Sequence, residues 1–545
     1  MQTVEATAIT LIMLLAVAVS RFLARVTRAP VPLVQIALGA AIFHAHLIDV
    51  DLDPEVFFVL LLPPLLFLDG WRIPKDELRR EAPTILTLAL GLVVFTVLGI
   101  GLYIHWLIPA VPLPVAFALA AALSPTDPVA LASITARTPM PPRMRRILEG
   151  ESLFNDASGL VCMRFAVAAA LTGTFSLSAA VGTFLWVALA GAAIGVAVAW
   201  LVSQTNAGPS VMLGDDGAAQ ILITLLIPSG SYLLAEYFQC SGILAAVAAG
   251  ITMGFTPHSH WQAVTRIRRT AVWDTVQFAA NGSIFVLLGV QIPSILAAAG
   301  QTVRITGHQN PWWLGVYVVL IVAALGALRF VWVAASIRLA SLGKKRDANR
   351  PPLPAGRIVL AMSLAGVRGA ITLAGILTLP LTLGKGVPFP GRDLAIFLAA
   401  GVIVLGLLLA TLALPGLLKG MSIGTDHVQL DAANRVRAAA ADAGIAAVKE
   451  AADVMYNTED DEALVEQAKR RIVAAYQHRK TRYGDDSTSP EAPAQADRIE
   501  RALLLAGLRA ERDEILAAGP ALGLKEVALR KLAREVDLQE ARHSS

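Results

Sequence analysis

Apolar stretches of about 20 residues recur from Thr7 to Leu418 with short polar segments between them, the length at which an α-helix crosses a bilayer. The pattern predicts helices near 5–26, 31–48, 54–70, 83–107, 113–135, 145–172, 177–203, 217–237, 240–256, 271–291, 312–340, 356–382 and 392–418, about thirteen spans. Beyond Thr425 the pattern changes. Apolar and charged residues alternate there at helical spacing, with a break at Gly484–Pro493. This predicts two helical pairs, near 431–482 and 496–542, on a soluble face-and-core pattern. The expected architecture is an all-α polytopic membrane protein, with a transmembrane domain over 1–424 and a helical cytoplasmic tail over 425–545.

Composition sharpens that division. Of the 545 residues, 56% are hydrophobic and 16% charged, against about a quarter charged in soluble domains. A mean hydropathy of +0.63 over this length places most of the chain in lipid. Cytosolic enzymes, secreted domains and disordered regulators are excluded. The last 121 residues hold 22 acids and 18 bases, leaving 19 acids and 27 bases to residues 1–424. Cys162 and Cys240 lie in or beside apolar stretches and indicate no disulfide framework. The first apolar run lacks a basic stretch before it and is followed by Arg25 and Arg28, so it reads as a retained span and not a cleaved signal. The basic pI of 9.1 arises from loop arginines, which give no reason to expect a nucleic-acid partner; the partner is membrane lipid.

The basic residues set an orientation. Clusters follow spans one, three, five, nine and eleven: Arg25/Arg28, Arg72/Lys75/Arg79/Arg80, Arg137/Arg143/Arg145/Arg146, Arg266/Arg268/Arg269 and Lys344/Lys345/Arg346/Arg350. The alternate loops are nearly free of them, apart from Arg304, Lys385 and Arg392. By the positive-inside rule the amino terminus lies outside and the tail in the cytoplasm. The loop carrying Asp215 and Asp216 has no basic residue and fits neither side.

Charges inside apolar spans carry the chemistry, because each costs several kcal/mol or finds a partner or water. Asp127, Glu151, Asp156, Arg164, Glu236, Arg329 and Arg368 lie within or near helical runs. Arg164 best fits a solvated place near an interface. Asp127 sits in Ser124-Pro125-Thr126-Asp127-Pro128. A proline inside a helix removes a donor and clashes with the carbonyl four residues earlier, so Pro125 and Pro128 should free the carbonyls of Ala121 and Ser124. The expected result is a helix interrupted in mid-membrane, a geometry tolerated only where it lines a cavity or is buried in protein. A plain proline kink leaves Asp127 unexplained.

The next span opens Glu149-Gly150-Glu151-Ser152-Leu153-Phe154-Asn155-Asp156. Ser152 and Asp156 share a helix face, with Glu151 adjacent and Asn155 one step round. Oxygens from Ser152, Asp156, Asp127 and freed carbonyls suit a small hard cation, and no His/Cys set for zinc accompanies them. In the twelfth span, Ala365-Gly366-Val367-Arg368-Gly369-Ala370 forms a counterpart. With span seven as the divide, spans five and twelve occupy matching places, and paired interrupted helices point to a transporter site. Glycines for close helix packing alone leave Arg368 unexplained. Gly420-Met421-Ser422-Ile423-Gly424 fits GxSxG but follows a membrane helix, not a strand. Gly191 and Gly195 read as a packing contact. The nine histidines lie mostly in loops and tail, with His105 at a span end.

The segments Ser124–Pro128, Gly150–Asp156 and Gly366–Ala370, with Ala235-Glu236 followed by Ser241-Gly242-Ile243-Leu244-Ala245, together resemble the NhaP/NHE-type sodium/proton antiporters. The resemblance covers about residues 5–420 and is closest to bacterial members with a long cytoplasmic tail. It implies thirteen helices in two inverted repeats, with interrupted helices crossing at mid-membrane, and a homodimer in which a core domain moves against a dimerisation domain. It implies that Asp156 binds the cation or a proton, helped by Asp127, Ser152 and the Thr126 backbone. Glu151 corresponds to the family's buried glutamate, Arg329 to its ion-pair partner, and Arg368 to the arginine at the second break. Asn155 before Asp156 resembles the electroneutral branch.

The function expected is exchange of a monovalent cation, Na+ first, for H+ across the bacterial inner membrane, in the service of pH homeostasis and without a cofactor. K+/H+ exchange is the alternative. A cation channel would also use broken helices and intramembrane acids, but without proton coupling. A carrier of anionic metabolites on Arg329 and Arg368 fits poorly beside three acids. An intramembrane enzyme lacks a coherent nucleophile–base or metal set.

Overall fold

The computed structural model describes residues 2–45, 54–72, 75–136, 138, 140–172, 177–213, 216–255, 263–342, 355–382, 388–419, 421, 427–454, 459–483, 492–521 and a few positions between 532 and 540. The apolar runs fold as helices: α1 (Gln2–Thr27), α2 (Val31–His44), α3 (Pro54–Arg72), α4 (Lys75–Leu107), α5 (Leu113–Leu123), α6 (Pro128–Thr135), α7 (Pro142–Thr172), α8 (Leu177–Leu213), α9 (Gly217–Tyr237), α10 (Gly242–Phe255) and α11 (Ala263–Ala297). The short α12 (Ala299–Ile305) follows, then α13 (Trp312–Leu342), α14 (Ala355–Leu364), α15 (Ala370–Leu377) and α16 (Arg392–Leu418). Among the described residues no β-strand forms. Six of these helices (α1, α8, α9, α11, α13 and α16) are long and apolar enough to cross a membrane, and α5 with α6 makes a further pair bent by 45°.

The chain divides into two compact units, 1–422 and 423–545. In the first, the pattern of burial follows composition. Helix α5, Leu-Pro-Val-Ala-Phe-Ala-Leu-Ala-Ala-Ala-Leu, is apolar on every face and buries Val115, Ala116, Leu119, Ala121 and Leu123 together. A helix without a polar stripe belongs inside. Its alanines let α4 and α7 approach, and the core continues through α13–α16. Helix α8 instead turns Trp186, Leu189, Trp200 and Leu201 outward, a surface stable only against lipid or another apolar face. The Gly191/Gly195 pair is a packing contact: a Cβ on Gly195 would stand 2.0 Å from the Ala245 carbonyl of α10.

The interruptions expected in the runs 113–135 and 356–382 are present: each run is two helices, because Pro125 and Pro128, and Gly366 and Gly369, interrupt the backbone ladder. Other expectations change. The span expected at 271–291 runs from Ala263 to Ala297, and α12 was not anticipated. Asp216 acquires a role: it caps α9 by accepting from the Ala218 and Ala219 amides. His105 Nδ1 meets the Val111 carbonyl at 2.8 Å, which ties the α4–α5 turn. Arg137, Asp215, Lys344, Lys345, Arg346, Arg350, Lys385, the ends of the GxSxG match at Gly420 and Gly424, and most of the break at Gly484–Pro493 lie outside the described residues.

In the second unit, α17 (His427–Val454) and α18 (Glu459–Tyr483) pair side by side, with Gly444 against Tyr476 and Lys480 bound to Asp442 at 2.8 Å. The second expected pair is represented by α19 (Ala492–Ala521), whose Arg509 and Arg512 bind Glu540 and Asp537.

Candidate functional site

The two helix breaks meet. The Asp127 amide donates to the Val367 carbonyl at 2.7 Å, and Arg368 Nε donates to the Leu123 carbonyl at 3.0 Å. Arg368 also reaches the Gly366 carbonyl at 2.6 Å. A cation is thereby placed over the negative carbonyl end of α5, where a helix dipole favours it. Asp127 serves the opposite end. Its Oδ1 accepts from the Val129 and Ala130 amides at 2.8 and 3.0 Å and caps α6.

The two glycines of the second break each make room for a charge. A Cβ on Gly366 would fall 2.7 Å from Arg329 Nε, and one on Gly369 would fall 1.8 Å from Asp127 Oδ2. The Gly-Val-Arg-Gly pattern is therefore a seat for two facing ionic side chains.

Helix α7 supplies the next wall. Asn155 is fully buried, donating to the Ser124 carbonyl at 2.9 Å and accepting from the Ser124 hydroxyl at 3.0 Å. Ser152 donates to the Thr126 carbonyl at 2.5 Å, and its oxygen lies 3.5 Å from Asp156 Oδ2. The two carbonyls expected to be freed are thus already engaged, Ser124 by Asn155 and Ala121 by the Ser124 amide, and those of Thr126 and Leu123 are taken by Ser152 and Arg368. Buried carbonyls take the nearest donor. Both polar ends of Asn155 serve the break.

Glu151 and Arg329 form a two-point pair. Arg329 Nη1 lies 2.7 Å from Glu151 Oε1, and Nη2 donates to Oε2 at 3.0 Å. Arg329 Nε donates to the Met362 carbonyl at 3.1 Å, which adds the end of α14. Arg164, expected to be solvated, is exposed and binds Glu236 at 2.9 Å; the same Glu236 oxygen accepts from the Gly242 amide at 3.2 Å.

A cavity large enough for water-sized particles opens between these elements. Thr126, Asp127 and Asp156 line it, together with Asp69 of α3, Gln277 and Asn281 of α11, and Thr372 of α15. Asp156 is 1% exposed, and its Oδ1 has no hydrogen-bond partner among the described residues. At the α3–α11 edge, Arg72 pairs with Asp274 and donates to Gln277 Oε1 at 2.8 Å. Among the described residues, no group of three or more His, Cys, Asp or Glu side chains is gathered to hold a metal. Mixed carboxylate, carbonyl and hydroxyl oxygens suit an ion that must also leave.

Sequence reasoning missed Asp69, Gln277, Asn281 and Thr372. Asp69 lies at the end of the span expected over 54–70, close to Arg72, where a charged residue carries no signal of its own. Gln277 and Asn281 carried a usable signal: two amides four residues apart inside an apolar span.

Known proteins with this pattern exist. The family described as "Sodium/hydrogen exchanger, transmembrane" matches residues 10–420. An uncharacterized Na(+)/H(+) exchanger of Escherichia coli K12, YjcE, is 40% identical over 548 residues, spanning 97% of this chain and 97% of that protein. A sodium, potassium, lithium and rubidium/H(+) antiporter of Bacillus pumilus is 43% identical over 391 residues, covering 71% of this chain and 57% of that protein. The structure of the sodium proton antiporter MjNhaP1 from Methanocaldococcus jannaschii at pH 8 shares the fold, with a TM-score of 0.58 at 20% identity over 78% of this chain and all of that one. Broken helices crossing at a carboxylate-lined cavity, and a family match that spans the whole helical region before the tail, agree: the chain belongs to the sodium/hydrogen exchanger family of multi-pass secondary transporters, which exchange cations for protons.

Proposed function

We propose that Asp156 is the carboxylate for which cation and proton compete, and that this competition couples their movement. The observation that carries the reading is the buried Asp156 Oδ1, without a donor among the described residues, on the cavity between the two breaks. Such an oxygen calls for a positive charge, and a proton and an alkali cation supply it equally well. Asp127, Ser152, the Thr126 backbone and Asn155 hold the surrounding oxygens in place. Asp69 adds a further carboxylate to the cavity. If only the protonated or cation-filled site crosses between membrane faces, exchange is obligatory. One proton for one monovalent cation moves no net charge.

Na+ is the proposed main cargo, in a bacterial inner membrane and with pH homeostasis as its use. K+ is the second reading, favoured by the Bacillus pumilus relative, which is named for four alkali cations. The full-length protein in proteoliposomes tests the function. With the voltage clamped, adding NaCl, LiCl or KCl outside should collapse an imposed proton gradient without a current. A cation flux that leaves the gradient intact marks a channel and refutes the reading.

We further infer a homodimer, with residues 1–424 as its transporter domain and 425–545 as a cytoplasmic tail. The alternating basic loops support an external amino terminus. Reporter fusions after Thr382 and after Leu418 should then report opposite sides of the membrane. The same side for both contradicts this orientation.

A further inference from the structure

Thr372 is the third residue of α15, in the first turn after the second break. A threonine inside a helix ordinarily gives its hydroxyl proton to the carbonyl four residues back. Here that residue is Arg368, which lies in the non-helical segment, so the usual acceptor is out of place. The consequence is unusual for a side chain only 1% exposed: among the described residues, Thr372 Oγ1 has no hydrogen-bond partner. Nearly all such buried hydroxyls find one. The same residue lines the cavity that holds Asp156.

Packing of α15 on α7 fixes the register. A Cβ on Gly375 would lie 3.0 Å from Leu160 and 3.4 Å from Met163. Thr372 stands three residues before Gly375 and Asp156 four before Leu160, each about one turn from that contact on its own helix, and both line the cavity. Two buried oxygens without partners among the described residues, one anionic and one neutral, therefore belong to side chains that line one cavity. A hydroxyl can turn a lone pair toward a cation, or donate its proton to a carboxylate once the cation has left.

We propose that Thr372 supplies a neutral oxygen to the transported cation and sets which alkali cation the site prefers. This rests on the reading of Asp156 as the shared carboxylate. Selectivity follows from dehydration. Li+ and Na+ give up more hydration than K+ and Rb+, so the loss of one oxygen penalises the smaller ions more.

The test uses full-length Thr372→Val, Thr372→Ser and Asp156→Asn proteins in proteoliposomes, with LiCl, NaCl, KCl and RbCl supplied one at a time. Valine keeps the branched shape and removes the hydroxyl. Thr372→Val should raise the half-saturating Na+ concentration by roughly tenfold and the K+ value by less, with the unfolding temperature in cation-free buffer unchanged. Thr372→Ser should stay within about twofold of the parent protein for each ion, since it retains the oxygen. Unchanged half-saturation for all four ions in Thr372→Val, with Asp156→Asn inactive, overturns the proposal. A lowered cation-free unfolding temperature with unchanged ion ratios assigns Thr372 to packing and also overturns it. Exchange by Asp156→Asn removes the shared-carboxylate reading, and this one with it.

Discussion

Asp156→Asn should reduce cation-dependent proton movement to the level of protein-free liposomes, while the protein still folds. Asparagine keeps the size of the side chain and can still meet Ser152, whose oxygen lies 3.5 Å from Asp156 Oδ2. It removes both the negative charge and the titratable group. Folding tolerates the change because Asp156 Oδ1 has no partner to lose among the described residues. Removing a buried charge whose Ser152 contact asparagine can keep spares its desolvation and leaves nothing orphaned. Asp156→Glu should keep partial activity with a changed cation preference, because the extra methylene pushes the carboxylate into a cavity of about one water's width. Proton release from Asp156→Asn vesicles at near the parent rate refutes the mechanism. The shared role would then pass to Asp69 or Asp127, which line the same cavity.

What the sequence shows of this site follows from how local each cause is. Pro125 and Pro128 break a helix through their own rings, so α5 and α6 separate where the residues themselves dictate. Gly366 and Gly369 mark the second break equally well, although the reason for glycine is not local. It is the side chains of Arg329 and Asp127, more than 30 and 200 residues away in sequence, that occupy the space a Cβ would take. The carbonyls freed by the prolines could be counted in advance. The partner of the Ser124 carbonyl could not, since Asn155 reaches it only after α7 packs against α5.

Residues of the cavity wall were hardest to find for the same reason. Asp69 is one acid near the end of an apolar run, and its own neighbours say nothing of depth. Only the packing of α3 beside α11 and the breaks puts it on the cavity with Asp127 and Asp156. Thr372 is less visible still, because threonine is unremarkable in a membrane helix. Its significance comes from the non-helical place of Arg368, whose carbonyl would be its usual acceptor one turn earlier.

Glu151→Gln and Arg329→Met should each destabilise the folded protein by about 3–5 kcal/mol, through the charge left behind and not through lost catalysis. The pair is buried on both sides, at 5% and 3% exposure, and the guanidinium meets the carboxylate at two points, hydrogen-bonding Oε2 and lying 2.7 Å from Oε1. Arg329 also holds the Met362 carbonyl next to the second break, so the pair joins α7, α13 and α14. Arg329→Lys should recover little, since an ammonium cannot make the two-point contact and reach Met362 as well. Joining Glu151→Met to Arg329→Met removes both charges together. That double variant should unfold at a higher temperature than either single change, because a coupled pair is penalised most when only one partner goes. Thermal unfolding of the purified proteins measures all of these. A Glu151→Gln protein as stable as its parent, yet unable to couple protons, shows that Glu151 carries the proton and is no mere strut. The proton would then travel through the α7–α13 contact, one residue before Ser152 and away from the cation's own oxygens.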